Sequence, residues 1–142
     1  MNLQAQTGGP TVTDVIAVAE FRAALRRFLR TSERIARNSG LTPQRYALLL
    51  MIKGSASGRE QSTVTELSQR LQLAQSTVTE LVRRAEDAGL IEREQSQQDA
   101  RVAHLRLTAE GERRLMQSFT ELAKERDQLA AAFAHLDGGL TG

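Results

Sequence analysis

The sequence predicts a mainly α-helical chain that carries one small antiparallel β-hairpin. Three observations predict this class. Long segments near both ends have apolar residues at helical spacing, two short helical segments are joined by a tight connection, and two short strand-like segments flank a polar tip. With 142 residues, the chain is long enough for one core of common size and too short for two independent ones.

Composition and charge exclude several classes of function. The chain contains no cysteine, which excludes disulfides, thiolate metal sites, cysteine nucleophiles and thiol-based redox sensing. No apolar run approaches the roughly 20 residues that span a bilayer, and no signal-peptide pattern opens the chain, so we expect a cytoplasmic protein. An aromatic content of 4% argues against base stacking as in single-strand binders. The net charge of +2 supports nucleic-acid binding only weakly.

The first third of the chain predicts a lead-in and two helices. Residues 1–11 are polar and contain Gly8-Gly9-Pro10, which predicts disorder. Residues 12–53 predict two helices, of which the first ends at Gly40 and the second begins with Thr42 as N-cap before Pro43. The apolar residues of the first helix lie on one face: Val18, Phe21, Leu25, Phe28 and Ile35.

One hexapeptide, Ser-Thr-Val-Thr-Glu-Leu, occurs twice, fourteen residues apart. Residues 54–62 predict a flexible loop, and short helices follow over about 63–71 and 75–88. In the first copy, Thr63 and Glu66 form a Thr-x-x-Glu pattern directly after the loop, which is typical of a capping box. The first copy therefore predicts a helix start with a structural role.

The second copy lies within a helix that has two different faces. At 100° per residue, one arc is apolar and comprises Val78, Leu81, Val82 and Ala85. The opposite arc is polar and comprises Ser76, Thr79, Glu80 and Arg83, with Thr77 and Arg84 at one edge. Hydroxyl, amide and guanidinium groups of this kind contact base edges and phosphates in a major groove. Two short helices joined by a tight turn have the spacing of a helix-turn-helix.

Two residues of this helix pair stand out. Gln72 occupies the turn position that glycine often takes, so a left-handed conformation there would be strained by roughly 1 kcal/mol. Glu80 is unusual on a face that approaches phosphates. It could accept a hydrogen bond from a cytosine amino group, or it could pair with Arg83 or Arg84 along the helix, and we favour the helix pair.

The remaining chain predicts a hairpin and a long helix. Residues 90–107 predict two strands around the polar tip "SQQDAR". A helix over 108–136 follows, and the tail over 137–142 should end it. Its apolar positions form a heptad seam that only Arg126 interrupts: Leu115, Phe119, Leu122, Leu129, Phe133 and Leu136. Arg126 could meet a partner carboxylate or a ligand, but we favour snorkelling to water.

The helix pair and the hairpin together form a winged helix-turn-helix, and this part of the chain resembles the MarR family of bacterial transcription regulators. The resemblance covers roughly residues 15 to 125. The residues that carry it are Leu67, Leu71, Leu73, Ser76, Thr77, Val78, Thr79, Leu81, Gly89, Leu90, Ile91, Arg93, Asp99, Arg101, Leu107, Thr108 and Gly111.

The resemblance implies a homodimer that binds a palindromic operator in double-stranded DNA. Segments 12–53 and 108–136 would then supply the dimerisation helices, and 54–107 would form the DNA-binding lobe. Recognition helix 75–88 would enter the major groove, with Gln75, Ser76, Thr77, Thr79, Arg83 and Arg84 near bases or phosphates. At the tip of the wing, Arg101 would reach into the minor groove and Asp99 would orient it. Alternatively, Asp99 and Arg101 form only a surface salt bridge, worth under ~1 kcal/mol.

Family members commonly respond to small aromatic or phenolic anions. The resemblance implies an effector cleft with these candidates: Arg22, Arg26, Arg45, Tyr46 and Met51. Each could instead be a surface or core residue. We expect a repressor rather than an activator. We expect no cofactor and no metal, because His104 and His135 lack metal-ligand spacing.

Two other functions compete with this interpretation. An enzyme is disfavoured, because we find no glycine-rich phosphate loop, nucleophile elbow or cluster of histidine with carboxylates. A winged helix that binds another protein is the stronger rival, since residues 59–106 contain seven arginines against eight carboxylates. Salt-sensitive binding to duplex DNA would separate the two.

Overall fold

A computed structural model describes residues 8–96, 98–99 and 101–141, and the side chains among these as far as residue 136. The elements are α1 (Val12–Asn38), α2 (Pro43–Lys53), β1 (Gln61–Ser62), α3 (Val64–Leu71), α4 (Gln75–Asp87), β2 (Ile91–Gln95), β3 (Ala103–Leu107), α5 (Ala109–Glu121) and α6 (Ala123–Thr141). The predicted class, mainly α-helical with a small antiparallel sheet, is confirmed. The predicted disorder of residues 1–7 lies outside the described residues.

The chain divides into two compact units. The first comprises Met1–Thr31 and Leu122–Gly142, and the second comprises Ser32–Glu121. In the first unit, the rings of Phe21 on α1 and Phe133 on α6 meet edge to face, with centroids 5.9 Å apart and an interplanar angle of 62°. This is a favourable geometry for two aromatic quadrupoles.

The core of the second unit gathers apolar side chains from most of its elements. Those with no more than 2% of their surface exposed include Leu41, Leu48, Leu49, Ile52, Leu67, Val78, Val82, Leu90, Leu105 and Leu115. Burial of such side chains is the main favourable contribution to folding. Because α2, α3, α4, β3 and α5 all contribute to it, this core fixes the helix pair against the sheet.

The sheet has three strands rather than the predicted two. Its order is β1-β3-β2 and both pairs are antiparallel. β1 lies at the end of the segment 54–62, which the sequence predicted to be a loop throughout. Two residues are too few to show strand alternation, and β1 exists because Gln61 and Ser62 pair with Arg106 and Leu105 of β3.

The side chains of Lys53 and Arg70 connect α3, the residue before β1 and α5 to α2. Lys53 binds Glu60, just before β1, at 3.0 Å, and it also binds Glu112 on α5. The hydrogen bond to Glu112, followed by that to Glu60, raises the pKa of Lys53. The guanidinium of Arg70 on α3 donates to the carbonyl of Gly54 at the end of α2. These contacts supplement the apolar packing of α2 against α3 and α5.

The predicted helix over 108–136 is two helices. α5 ends at Glu121 and α6 begins at Ala123, with the fully buried Leu122 between them. The amide of Arg126 still donates to the carbonyl of Leu122 over 2.9 Å, which is the ordinary helical separation. In the sequence, the heptad spacing of apolar residues runs unchanged through Leu122, so this spacing could not reveal the interruption.

The predicted tail over 137–142 is also wrong for residues 137–141, because α6 continues to Thr141. Glycine within a helix costs about 1 kcal/mol relative to alanine, but it ends a helix only where the chain turns into a left-handed conformation. Gly40 is such a case. Its φ is +76° and the amide of Leu41 donates back to Ala36, so α1 ends there as predicted.

Candidate nucleic-acid interface

The turn between α3 and α4 depends on a left-handed glutamine. Gln72 has φ 56° and ψ 45°, so it adopts the left-handed conformation that is strained for residues other than glycine. Three hydrogen bonds offset that strain: Gln72 Nε2 to the Gln69 carbonyl at 2.6 Å, the Ser68 hydroxyl to the Leu73 carbonyl at 2.6 Å, and the Leu73 amide to the Ser68 carbonyl at 3.1 Å. The relative direction of the two helices is set by this turn.

The two copies of the hexapeptide have different surroundings. In the first, the Thr63 hydroxyl accepts from the Glu66 amide at 3.2 Å and donates to the Glu66 carboxylate at 3.2 Å, so Thr63 caps α3 as predicted. In the second, Ala74 is the N-cap of α4, and its methyl side chain cannot accept a hydrogen bond. The hydroxyls of Ser76 and Thr77 lie one and two positions beyond the first helical residue and are exposed.

α4 has the two faces that the sequence predicts. Val78, Val82 and Ala85 are completely buried and Leu81 is 7% exposed. The candidate contact residues are exposed: Gln75, Ser76, Thr77, Thr79, Arg83 and Arg84. Gln75 Nε2 lies 3.4 Å from the hydroxyl of Thr65 on α3, and the Thr79 hydroxyl donates to the Gln75 carbonyl at 2.9 Å. The predicted orientation of α4 is confirmed; its contact with DNA stays a prediction.

Glu80 pairs along the helix, as favoured from the sequence. Its carboxylate accepts Arg83 Nη2 at 2.6 Å and Nε at 3.1 Å, and Arg84 Nε at 3.1 Å. Hydrogen bonding from Arg83 lowers the pKa of the Glu80 carboxyl; desolvation opposes this effect, and a hydrogen bond from Arg84 adds to it. The same contact raises the pKa of Arg83. Glu80 is therefore ionised at neutral pH.

The tip of the wing is a hydrogen-bonded turn that presents one arginine. The Asp99 carboxylate accepts the Arg101 amide at 3.0 Å and Arg101 Nε at 3.3 Å, and the Arg101 side chain is 91% exposed. Ser96 accepts the Asp99 amide at 3.3 Å, and Val102 donates to the Asp99 carbonyl at 3.0 Å. The predicted contact between Asp99 and Arg101 is present in the structure.

The sequence did not assign a role to Arg93, and the structure places it where the wing meets both helices. Arg93 Nε binds Glu86 of α4 at 2.9 Å, so it ties β2 to the recognition helix. Arg93 and Arg101 also line a cavity of about 220 Å³ with residues at the start of α3, including Thr63 and Thr65. Pairing of β1 with β3 creates this proximity, and such pairing leaves no local signal in the sequence.

The effector candidates fall in different units. Arg22 and Arg26 are exposed on the part of α1 that belongs to the first unit. In the second unit, Arg45 is half-buried and Tyr46 is buried on α2, while the Met51 carbonyl accepts Arg70 Nη1 at 3.1 Å. Their role in an effector cleft stays a prediction.

Among the described residues, histidines and carboxylates form no group that could hold a metal ion. No helix in the described ranges is long and apolar enough to cross a membrane.

Comparison with known proteins gives similarities at two levels. A family model described as "MarR family" matches residues 39–102. Among solved structures, the transcriptional regulator MosR of M. tuberculosis in complex with DNA is 26% identical, with 78% of this chain and 77% of that chain covered and a TM-score of 0.58. A comparison with curated proteins finds no match.

Two further solved structures share the fold. The MarR family regulator AbsC of Streptomyces coelicolor is 20% identical, with 87% and 82% covered and a TM-score of 0.66. A variant of MarR from E. coli complexed with operator DNA is 18% identical, with 94% and 97% covered and a TM-score of 0.67.

Proposed function

We propose that the chain is a member of the MarR family of DNA-binding transcription regulators, whose model matches residues 39–102, and that it is a homodimeric, ligand-responsive repressor of a palindromic operator. Regulation of transcription by DNA binding is the property of the family. The dimer, the repression, the ligand and the assignment of residues to the two grooves are our proposals. The protein would act in the cytoplasm, where bacterial DNA lies.

The observation that carries the proposal is the joint exposure of the start of α4 and of Arg101. Gln75, Ser76 and Thr77 form an exposed first turn with hydroxyl and amide groups, backed by a completely buried Val78. These groups suit base edges and phosphates in a major groove. Arg101 suits a narrow minor groove, where the negative potential is enhanced.

Exposed apolar side chains in the first unit support the dimer. Val12, Val15 and Ile16 on α1 are 76%, 60% and 56% exposed, and Phe133 on α6 is 57% exposed. Neighbouring apolar residues exposed to this extent are typical of protein interfaces. A two-fold dimer would place two recognition helices in successive major grooves about 34 Å apart, which is why a palindromic operator follows.

Repression and the response to a ligand are the finer parts of the proposal. A dimer that occupies an operator can repress by blocking a promoter, without any further contact. For the effector we propose a small aromatic or phenolic anion, and the residues that would bind it are Arg22, Arg26, Arg45, Tyr46 and Met51.

The test is a selection from random duplex DNA at about 150 mM salt, at which non-specific electrostatic binding is already weakened. Wild type and Arg101→Ala would be compared with Arg106→Ala, which removes an arginine of β3 that pairs with Glu94 at 3.1 Å. We expect wild type and Arg106→Ala to enrich one inverted repeat, and Arg101→Ala to lose most of that affinity. Enrichment of the same repeat with equal affinity by all three proteins would refute the role of Arg101.

A protein-binding winged helix is the second candidate, favoured by the charge balance of residues 59–106, where eight carboxylates accompany seven arginines. Failure of the selection to enrich any sequence, together with duplex binding that does not weaken with salt, would favour this function.

A further inference from the structure

Glu80 lies on the exposed face of the recognition helix, where a negative charge opposes binding to phosphates. Its side chain is 44% exposed, and its neighbours on this face include Thr79 and Arg83. Pairing with an arginine of the same helix occurs on many solvated surfaces. On this face it has a second effect, because the same arginines are the candidates for contact with the DNA backbone.

Arg83 is held between two carboxylates. Its Nη2 and Nε bind the two oxygens of Glu80 at 2.6 and 3.1 Å, and its Nη1 binds Asp87 Oδ2 at 3.2 Å. All three nitrogens of this guanidinium thus have an acidic partner. Arg84 Nε binds Glu80 Oε1 at 3.1 Å, and this is the oxygen that also accepts Arg83 Nη2. The charges of these two arginines and two carboxylates cancel.

Arg101 at the wing tip is presented differently. Its side chain is 91% exposed, compared with 59% for Arg83 and 60% for Arg84. Its ion pair with Asp99 is made through Nε, at 3.3 Å. The wing therefore offers a positive charge outward, whereas the second half of α4 offers arginines whose charge is locally compensated.

We propose that Glu80 restrains the recognition helix: by holding Arg83 and Arg84 it weakens the phosphate-dependent part of DNA binding. The inference rests on the proposed DNA-binding function. Non-specific binding comes almost entirely from neutralisation of phosphates. To contribute to it, Arg83 and Arg84 must leave Glu80, and the carboxylate then faces the phosphates. Operator binding has a further contribution from base contacts at the start of α4, so its phosphate-dependent part is a smaller share of the total.

The test is Glu80→Gln, which keeps the size and one hydrogen-bond acceptor but removes the charge. Binding to a non-specific duplex and to the selected operator would be measured over a range of salt concentrations. For one or two additional phosphate contacts, the slope of log K against log salt should steepen by about 0.9 to 1.8. Non-specific affinity should rise roughly tenfold at low salt, and operator affinity should rise by up to the same factor.

The chain contains a matched control. On α5, Glu110 binds Arg113 Nη2 at 2.6 Å and Nε at 3.0 Å, and Arg114 Nε at 2.7 Å, in the same Glu-x-x-Arg-Arg arrangement. Glu110→Gln therefore makes the same change of net charge in the same local geometry outside the recognition helix. Its salt slope should equal that of wild type.

A second variant ties the effect to the arginines. Adding Arg83→Gln and Arg84→Gln to Glu80→Gln should return the salt slope to the wild-type value or below it. Retention of the steeper slope in this triple variant would overturn the inference, because the slope would then not depend on the released arginines.

Three further results would overturn the inference. Equal non-specific affinity and equal slopes for Glu80→Gln and wild type would show that Glu80 does not restrain the arginines. Loss of operator affinity without a gain in non-specific affinity would show that Glu80 reads a base, such as a cytosine amino group. Absence of duplex binding by wild type itself would refute the proposed function, and this inference with it.

Discussion

The hydroxyl of Ser118 on α5 donates a hydrogen bond to the hydroxyl of Ser39, at the end of α1, over 2.8 Å. Ser118 is completely buried and Ser39 is 8% exposed, and Ser39 in turn donates to the Ile35 carbonyl at 3.3 Å. The pair joins residues 79 positions apart within the second unit. It satisfies polar groups at a place where the packing of two helices excludes water.

Ser118→Ala should therefore lower the free energy of unfolding. Removal of one buried hydroxyl while its partner remains costs about 1–3 kcal/mol. Thr120→Ala is the control, because Thr120 is exposed on the same helix and its change should stay within about 0.5 kcal/mol. Urea denaturation followed by circular dichroism would measure both. Equal midpoints for the two variants would show that the serine pair does not contribute.

Gly111→Ala should be more damaging. A Cβ at this position would lie 2.0 Å from the carbonyl oxygen of Leu90 and 2.9 Å from its carbonyl carbon, and both are backbone atoms that cannot rotate away. The same carbonyl accepts the Thr108 amide at 3.0 Å, so the contact anchors the start of α5 to the start of the wing. We expect a loss of about 1–3 kcal/mol or more, as for other overpacked sites.

Gly9→Ala is the control for Gly111→Ala, because no heavy atom lies within 4 Å of a Cβ at Gly9. Both would be followed by thermal unfolding. If Gly111→Ala unfolded at the wild-type temperature, the close approach of α5 to Leu90 would be contradicted.

Gln72→Gly should make the protein more stable. The left-handed backbone of Gln72 costs roughly 1 kcal/mol that glycine avoids, although the hydrogen bond from its side chain to Gln69 would be lost. We expect a net gain of about 0.5 kcal/mol, which is the strain relieved less the hydrogen bond lost. Gln69→Gly, inside α3, should instead cost about 1 kcal/mol. Denaturation midpoints that fall equally in both variants would argue against the left-handed turn.

The contribution of Glu110 to stability should depend on acid pH. Hydrogen bonds from Arg113 and then Arg114 lower the pKa of the Glu110 carboxyl from 4.5 to about 2. A carboxyl whose pKa is lower in the folded state stabilises that state above the unfolded pKa and loses the effect as pH falls through the folded pKa. The stability difference between wild type and Glu110→Gln should thus be constant above about pH 5 and disappear towards pH 2.

Urea midpoints of wild type and Glu110→Gln across this pH range would measure that difference. The same comparison in a background with Arg113→Gln and Arg114→Gln is the control, in which the acid dependence of the difference should be lost. If the dependence persisted there, its cause would lie in other carboxylates.

The sequence was informative where a single helix or turn determines the geometry. Val78, Leu81 and Val82 define the buried face of α4 through spacing alone, and this face determines which polar residues are exposed. Asp99 and Arg101 are two positions apart, so a tight turn brings them together without help from the rest of the fold.

The sequence was uninformative where distant segments determine the geometry. β1 is a strand because of β3, more than 40 positions later, and the link from Arg93 to Glu86 follows from how the wing folds back on α4. The break at Leu122 was hidden because the helical spacing of apolar residues is the same on both of its sides.

The pairing of β1 with β3 has a consequence for engineering. Gln61 lies opposite Arg106 in the sheet, so the two ends of the segment from 61 to 106 are adjacent in the second unit. A segment whose ends are adjacent can be exchanged as a cassette, since a replacement of equal span leaves the flanking chain undisturbed. A chimaera with its two junctions in this ladder would inherit the helix pair and the wing of a donor while keeping the rest of this chain. Operator choice could thus be transferred between regulators by a single graft.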